Sequence, residues 1–198
     1  MILTSNWKLV RQWFGETQTI AIKEPKSKEK AMNLRGQIRT AVLGFGNPVR
    51  SDDGVGCYVV DQLKCQVADS SAITILDMGT SAFEVLFQLQ GHERILLIDA
   101  VVHSGEPDGT LYKLPASEVK TAIQDDPLVF LHSLKWDQAL SYAKKILGHQ
   151  YPEDIAVYLI AVSNTKLDIG LSPTVQAAGD KVVHLLMEDL KSASAVPV

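Results

Sequence analysis

The sequence predicts an α/β fold, a mostly parallel sheet with helices on both faces, and three observations predict it. Apolar segments of strand length alternate with amphipathic segments of helical period along most of the chain. The segment ERILLIDAV is nearly continuous in apolar residues, as a parallel strand covered on both faces must be. With 198 residues, 46% of them hydrophobic, the chain can bury one full core. Strands that alternate with helices are joined by right-handed crossovers, which run the strands parallel.

Residues 1–38 stand apart as an N-terminal extension. SNWKLVRQWFG sets Trp7, Val10, Trp13 and Phe14 at helical spacing, and KEPKSKEKAMN is a charged linker. The aromatic face caps the core or docks a partner. The α/β domain then spans residues 39–192. Thr40 to Phe45 is the first strand, followed by a loop and a helix through VGCYVVDQLKCQ. AITILDMG is the second strand; Ser81 is placed to cap the next helix, AFEVLFQLQ, with Glu84 completing a capping box. ERILLIDAV is the third. A turn at EPDG leads to a short edge strand, GTLYKL. A helix over residues 134–147 precedes the strand DIAVYLIAV. Ser172 and Pro173 open the last helix, which runs to about Lys191 before a tail that frays. There is no internal repeat.

Composition excludes several classes of function. A net charge of −4 and a pI near 5.7 do not suit a nucleic-acid groove. The longest apolar run, Ile155 to Val162, is strand-sized, so no membrane span is expected. The N-terminus lacks the features of a secretion signal, and Cys57 and Cys65 read as two buried thiols of a reducing cytosol. A cytoplasmic monomer is the expectation.

The informative stretch is AVLGFGNPVRSDDGVG, residues 41–56. Strand followed by Gly44-x-Gly46 suggests a dinucleotide fingerprint, and Asp77 could supply its acidic residue. However, the third glycine is replaced by Val49, and Asp52 and Asp53 lie where a pyrophosphate would sit. A cation fits better. Ligands of an open parallel sheet bind beyond the carboxyl ends of its strands, where Asn47, Asp52 and Asp53 follow strand one, Asp99 ends strand three, and His132 precedes a helix. Two carboxylates and an imidazole form a donor set for a divalent metal. Local alternatives stand beside this: Asp53 capping a helix, Asp99 capping a turn, and His132 as an ordinary satisfied polar residue. Gly79 and Thr80 either shape a substrate channel or form a turn and a cap. His103 and Asp108 read as solvated loop residues. Ser133 and the cysteines do not form a nucleophile–base pair with His132, and no His-Glu-x-x-His occurs.

LGFGNPVRSDDGVG resembles the signature of the hydrogenase maturation proteases, Gly-x-Gly-Asn followed by Asp-Asp/Glu-x-x-Gly. Gly44, Gly46, Asn47, Asp52, Asp53 and Gly56 satisfy it. LDMGTSAFEVL, LLIDAV, the histidine of HSL and IGLSPTV continue the likeness in order, over roughly residues 39 to 190. The resemblance implies a three-layer sandwich built on a twisted, mainly parallel five-stranded sheet. It implies a metal-sensing endopeptidase that cleaves the C-terminal extension from a nickel–iron hydrogenase large-subunit precursor after nickel insertion. Asp53, Asp99 and His132 would be both its metal ligands and its catalytic residues, with nickel carried by the substrate rather than resident. Gly44, Gly46, Asn47, Asp52, Gly79 and Thr80 are the candidate substrate-binding residues. Two other readings remain: a module that binds the precursor without cutting it, and a peptidyl-tRNA hydrolase-like esterase. The esterase shares the GFGNP opening but needs a histidine where this chain has DDGVGC.

Overall fold

The structure, a computed structural model, describes residues 38–118 and 135–194. The aromatic N-terminal segment with Trp7, Val10, Trp13 and Phe14, and the segment holding His132 and Ser133, lie outside the described residues.

The first strand, β1 (Thr40–Phe45), is buried along its whole length. Its side chains alternate between two cores: Ala41, Leu43 and Phe45 on one face, Val42 on the other. Helix α1 (Val55–Gln66) follows a 3-10 turn at Ser51–Gly54. Strand β2 (Ile73–Gly79) leads to the short α2 (Val85–Leu89), and β3 (Arg94–Val101) to the edge strand β4 (Leu111–Pro115). Helix α3 (Trp136–Leu147), strand β5 (Asp154–Ala161) and helix α4 (Pro173–Ser194) complete the domain.

The five strands lie in the order β2-β1-β3-β5-β4. Four are parallel, and β4 runs antiparallel to β5 at the edge. Helices α1 and α4 cover one face through Val55, Val59, Leu63, Val175, Val182 and Leu186. Helices α2 and α3 cover the other, where Val85, Leu89, Trp136 and Leu140 pack on Leu43, Ile95 and Leu97. The expected three-layer α/β sandwich is observed. No helix among the described residues is long and apolar enough to cross a membrane.

Three local expectations are corrected. The AFEVLFQLQ segment enters through a 3-10 turn, Ala82–Glu84, and Ser81 makes no side-chain cap. Its backbone N–H instead closes a turn onto Met78 O at 2.9 Å, so the reciprocal bonds of a capping box do not form. Ser172 does precede α4, with its carbonyl accepting from Gln176 N, yet its hydroxyl caps nothing; its N–H is engaged elsewhere. Cys57 is buried as expected, but Cys65 is exposed. Eight residues at about 100° each turn the helix roughly 80° beyond two full circles, enough to carry Cys65 off the buried face.

Glycine decides how β1 meets α1. A Cβ on Gly56 would lie 2.1 Å from Phe45 O and 2.7 Å from Ile98 O, and one on Gly44 would lie 2.2 Å from Gly56 O. All of these obstacles are backbone, which cannot swing away. Gly56→Ala is therefore expected to destabilise the domain by at least about 3 kcal/mol, beyond ordinary overpacking. Urea unfolding followed by circular dichroism measures it, and a loss below 1 kcal/mol would contradict the packing described (roughly the scale of a tolerated core swap).

Candidate functional site

The chain leaves β1 towards β2 on one side and returns across it to β3 on the other. The loops after β1 and β3 therefore part between these two strands, which opens a crevice at their carboxyl ends. Gly44 pairs with Ile98 in the register of these strands, so Asp99 stands one residue beyond the last pair.

The β1–α1 loop folds directly back onto this edge. Gly46 has φ 141°, and a Cβ there would be 2.0 Å from Asp53 O. Only a glycine lets the 3-10 turn lie this close, and the turn in consequence carries Asp52 and Asp53 into the protein at 0% and 2% exposure. The N-cap of α1 is Gly54, which has no side chain, so the capping explanation of Asp53 is not realised. The Asn47 side chain accepts from Val49 N at 3.2 Å within the loop.

Asp99 is fully buried within β3, on the face that carries α3. The backbone N–H of Ala100 donates to its Oδ1 at 2.8 Å, and the indole N–H of Trp136 donates to its Oδ2 at 2.9 Å. Burial pushes its pKa up to about 7. The bonds from Trp136 and Ala100 oppose that rise, while the negative charge of Asp53 adds to it. Asp53 and Asp99 are thus close enough to feel each other, and the structure brings these two predicted residues together. Asp52 is turned away, its Oδ1 accepting from Ser172 N at 2.6 Å.

The other predicted residues frame this pair. Gly79 has φ 50°, and its carbonyl accepts from Gly46 N at 3.0 Å, tying the end of β2 to the loop; Thr80 beside it is exposed. Asp77 is exposed and accepts from Gly79 N at 2.8 Å, the bond of a turn. Cys57, whose thiol donates to Gly46 O, is held protonated by burial and by neighbouring Asp77, so it is no nucleophile. Among the described residues no group of three His, Cys, Asp or Glu is placed to hold a metal ion; a third ligand would have to come from elsewhere, and His132 lies outside them. Two carboxylate oxygens sets, hard donors, fit a divalent cation as part of such a site.

Sequence reasoning missed Trp136. Nothing in a linear pattern singles it out or aims an indole N–H at Asp99, 37 residues away. It also missed the N–H of Ser172, since a backbone donor carries no sequence signature.

A family description, "HycI: Hydrogenase maturation protease", matches residues 57–189. The hydrogenase 2 maturation protease of Escherichia coli (strain K12) is 26% identical over 162 residues, covering 81% of this chain and 96% of that protein. Among solved structures, the hydrogenase maturating endopeptidase HybD from Escherichia coli superposes with a TM-score of 0.66 at 23% identity, over 79% of this chain and 94% of that one. The [NiFe] hydrogenase maturation protease HycI from Thermococcus kodakarensis KOD1 does so with a TM-score of 0.59, also at 23% identity, over 79% of this chain and 94% of that one. At these identities the structural likeness concerns the fold.

Because the Trp136 indole binds Asp99, its N–H resonance reports the charge on that carboxylate. Proton–nitrogen spectra recorded between pH 5 and 9 (a span of roughly two units either side of the perturbed value) are expected to show the Trp136 resonance titrating with a midpoint near 7. An Asp99→Asn variant would show no such step. The folded pKa is raised above the ordinary value of 3.8, so the protonated folded form is favoured. The stability this lends is present below that ordinary value and is lost as pH rises through about 7.

Proposed function

The chain belongs to the hydrogenase maturation protease family, and from that premise we propose that it removes the C-terminal extension of a nickel–iron hydrogenase large-subunit precursor after nickel insertion. Members of this family are hydrolases that act as endopeptidases. The observation that carries the finer reading is the pairing of Asp53 and Asp99: two buried carboxylates at the switch point, one of which titrates near neutrality.

Such a pair is poised for a cation. The negative charge of Asp53 adds to the proton affinity that burial gives Asp99, and a divalent ion between the two would offset both the repulsion and the desolvation. In the proposed reaction the nickel belongs to the substrate. The precursor docks with its nickel against Asp53 and Asp99, with His132 as the third ligand implied by the family signature. Binding then requires Asp99 to release its proton, so recognition strengthens as pH rises through about 7. A precursor without nickel offers nothing to offset the buried charges and is bound poorly. The bound metal fixes the scissile peptide at the rim, where holding it in place supplies a large part of the acceleration.

None of the three competing readings (nucleotide binding, the esterase and the non-cleaving module) gains support from the geometry. A pyrophosphate would meet the buried carboxylates of Asp53 and Asp99 rather than the open amides that the nucleotide fingerprint needs, and the esterase would need a histidine where this chain has DDGVGC. A module that binds without cutting shares the same site and differs only in outcome.

Incubation of the purified protein with nickel-loaded and nickel-free precursor, followed by intact-mass measurement, tests the proposal. Loss of a C-terminal peptide is expected only from the nickel-loaded form. Asp53→Asn and Asp99→Asn are each expected to slow it by at least about a hundredfold. Complex formation with no change in mass would identify the non-cleaving module instead.

A further inference from the structure

We propose that Asp52 is a positioning residue: through Ser172 it locks the β1–α1 loop to the start of α4, and so fixes where Asp53 meets Asp99. The proposal rests on the reading of Asp53 and Asp99 as the pair that faces the metal.

The two loops are laced together at the carboxyl edge of the sheet. Ser51 N donates to Asp168 O at 2.9 Å, Ser51 Oγ to Lys166 O at 3.2 Å, and Asp52 N to Asn164 O at 3.2 Å. Asp168 N returns a bond to Val49 O at 3.1 Å, and Arg50 and Asp168 form a parallel bridge. Within this lacing Ser51 sits at φ 49°, a left-handed conformation that a serine keeps only when its surroundings impose it. The strain falls immediately before the two aspartates, so the direction in which they leave the turn is imposed as well.

Asp52 makes the one contact of this set in which a carboxylate accepts. Its Oδ1 takes the Ser172 N–H at 2.6 Å, at the first turn of a 22-residue helix, where a negative charge also meets the positive end of the helix dipole. Its Oδ2 has no hydrogen-bond partner among the described residues, although the side chain is 0% exposed. A carboxylate half satisfied and wholly buried is a poor way to gain stability. It is a good way to set one distance, because the bond to Ser172 is directional and spans 120 residues of chain. An engaged, fully enclosed side chain holds its neighbour in place instead of reading a substrate.

The test uses Ni2+ alone and the full chain in calorimetric titration. Asp52→Ala deletes the acceptor and is expected to weaken Ni2+ binding by about ten- to hundredfold, the effect of removing a group that orients a ligand. Asp52→Asn keeps an acceptor for Ser172 N, so it should recover most of that loss. Should Asp52→Ala not fold, Ser172→Pro removes the same bond from the donor side, and the same weakening is expected. Asp99→Asn runs alongside as the reference for the site. If Asp52→Ala binds like the unaltered protein while Asp99→Asn does not bind, the positioning role is wrong and the site reading stands. A loss in Asp52→Asn as large as in Asp52→Ala, in step with melting temperature, would likewise overturn it, because that is general destabilisation. If the unaltered protein does not bind Ni2+, or Asp99→Asn binds as well as it does, the metal-facing reading falls and the proposal falls with it.

Discussion

Backbone lies against backbone where β1 turns into α1, and the carboxyl edge of the sheet is built around that contact. Gly44 faces Gly56 O, Gly56 faces Phe45 O and Ile98 O, and Gly46 faces Asp53 O, each at a separation that leaves no room for a Cβ. Side chains at these positions would force the loop away from the sheet, because the obstructing atoms are backbone. Asp52 and Asp53, now 0% and 2% exposed, would then lie nearer solvent. Close packing of the main chain is therefore what turns two common residues into a buried electrostatic feature.

Once the loop is seated, the fold has to tolerate charge in its interior. Asp99 is tolerated because Trp136 and Ala100 donate to it, and because at neutral pH it carries a proton part of the time. The indole reaches it only because α3 packs on the same face of the sheet as the odd-numbered residues of β3. The apolar core and the polar site are thus one construction. Trp136 is among the largest fully buried side chains, and its single polar atom ends on the carboxylate.

The loop after β5 completes the arrangement from a distance. Residues 164–172 make no strand or helix, yet their backbone supplies most of the bonds that hold Ser51 and Asp52. At the opposite end of β3, Arg39 pairs with Glu93, and Arg94 with Asp154, so the amino-terminal edge is fastened by exposed and half-buried ion pairs instead. Such pairs contribute little stability individually, and they leave the carboxyl edge as the place where buried polarity is concentrated.

Much of this was legible in the linear chain. Alternating apolar periods predicted the order and type of the strands and helices, the glycine–aspartate spacing marked the first loop, and the end of the third strand marked Asp99. Side-chain chemistry and periodicity are local properties, and a local reading suffices for them. Capping was misread at Ser81, and Ser172 holds the predicted N-cap position without its hydroxyl capping, because a hydroxyl's partner depends on how the chain enters the helix, which sequence does not state. Cys65 was misplaced because a rotation of some 80° along a helix matters only against a particular packed face. The bond from Trp136 to Asp99 and the bond from Ser172 to Asp52 join residues 37 and 120 positions apart. Sequence by itself determined the fold class and the edge of the sheet at which the candidate residues gather. Only the tertiary structure decided which carboxylate is bonded to what, because burial and hydrogen-bond direction arise when distant segments pack.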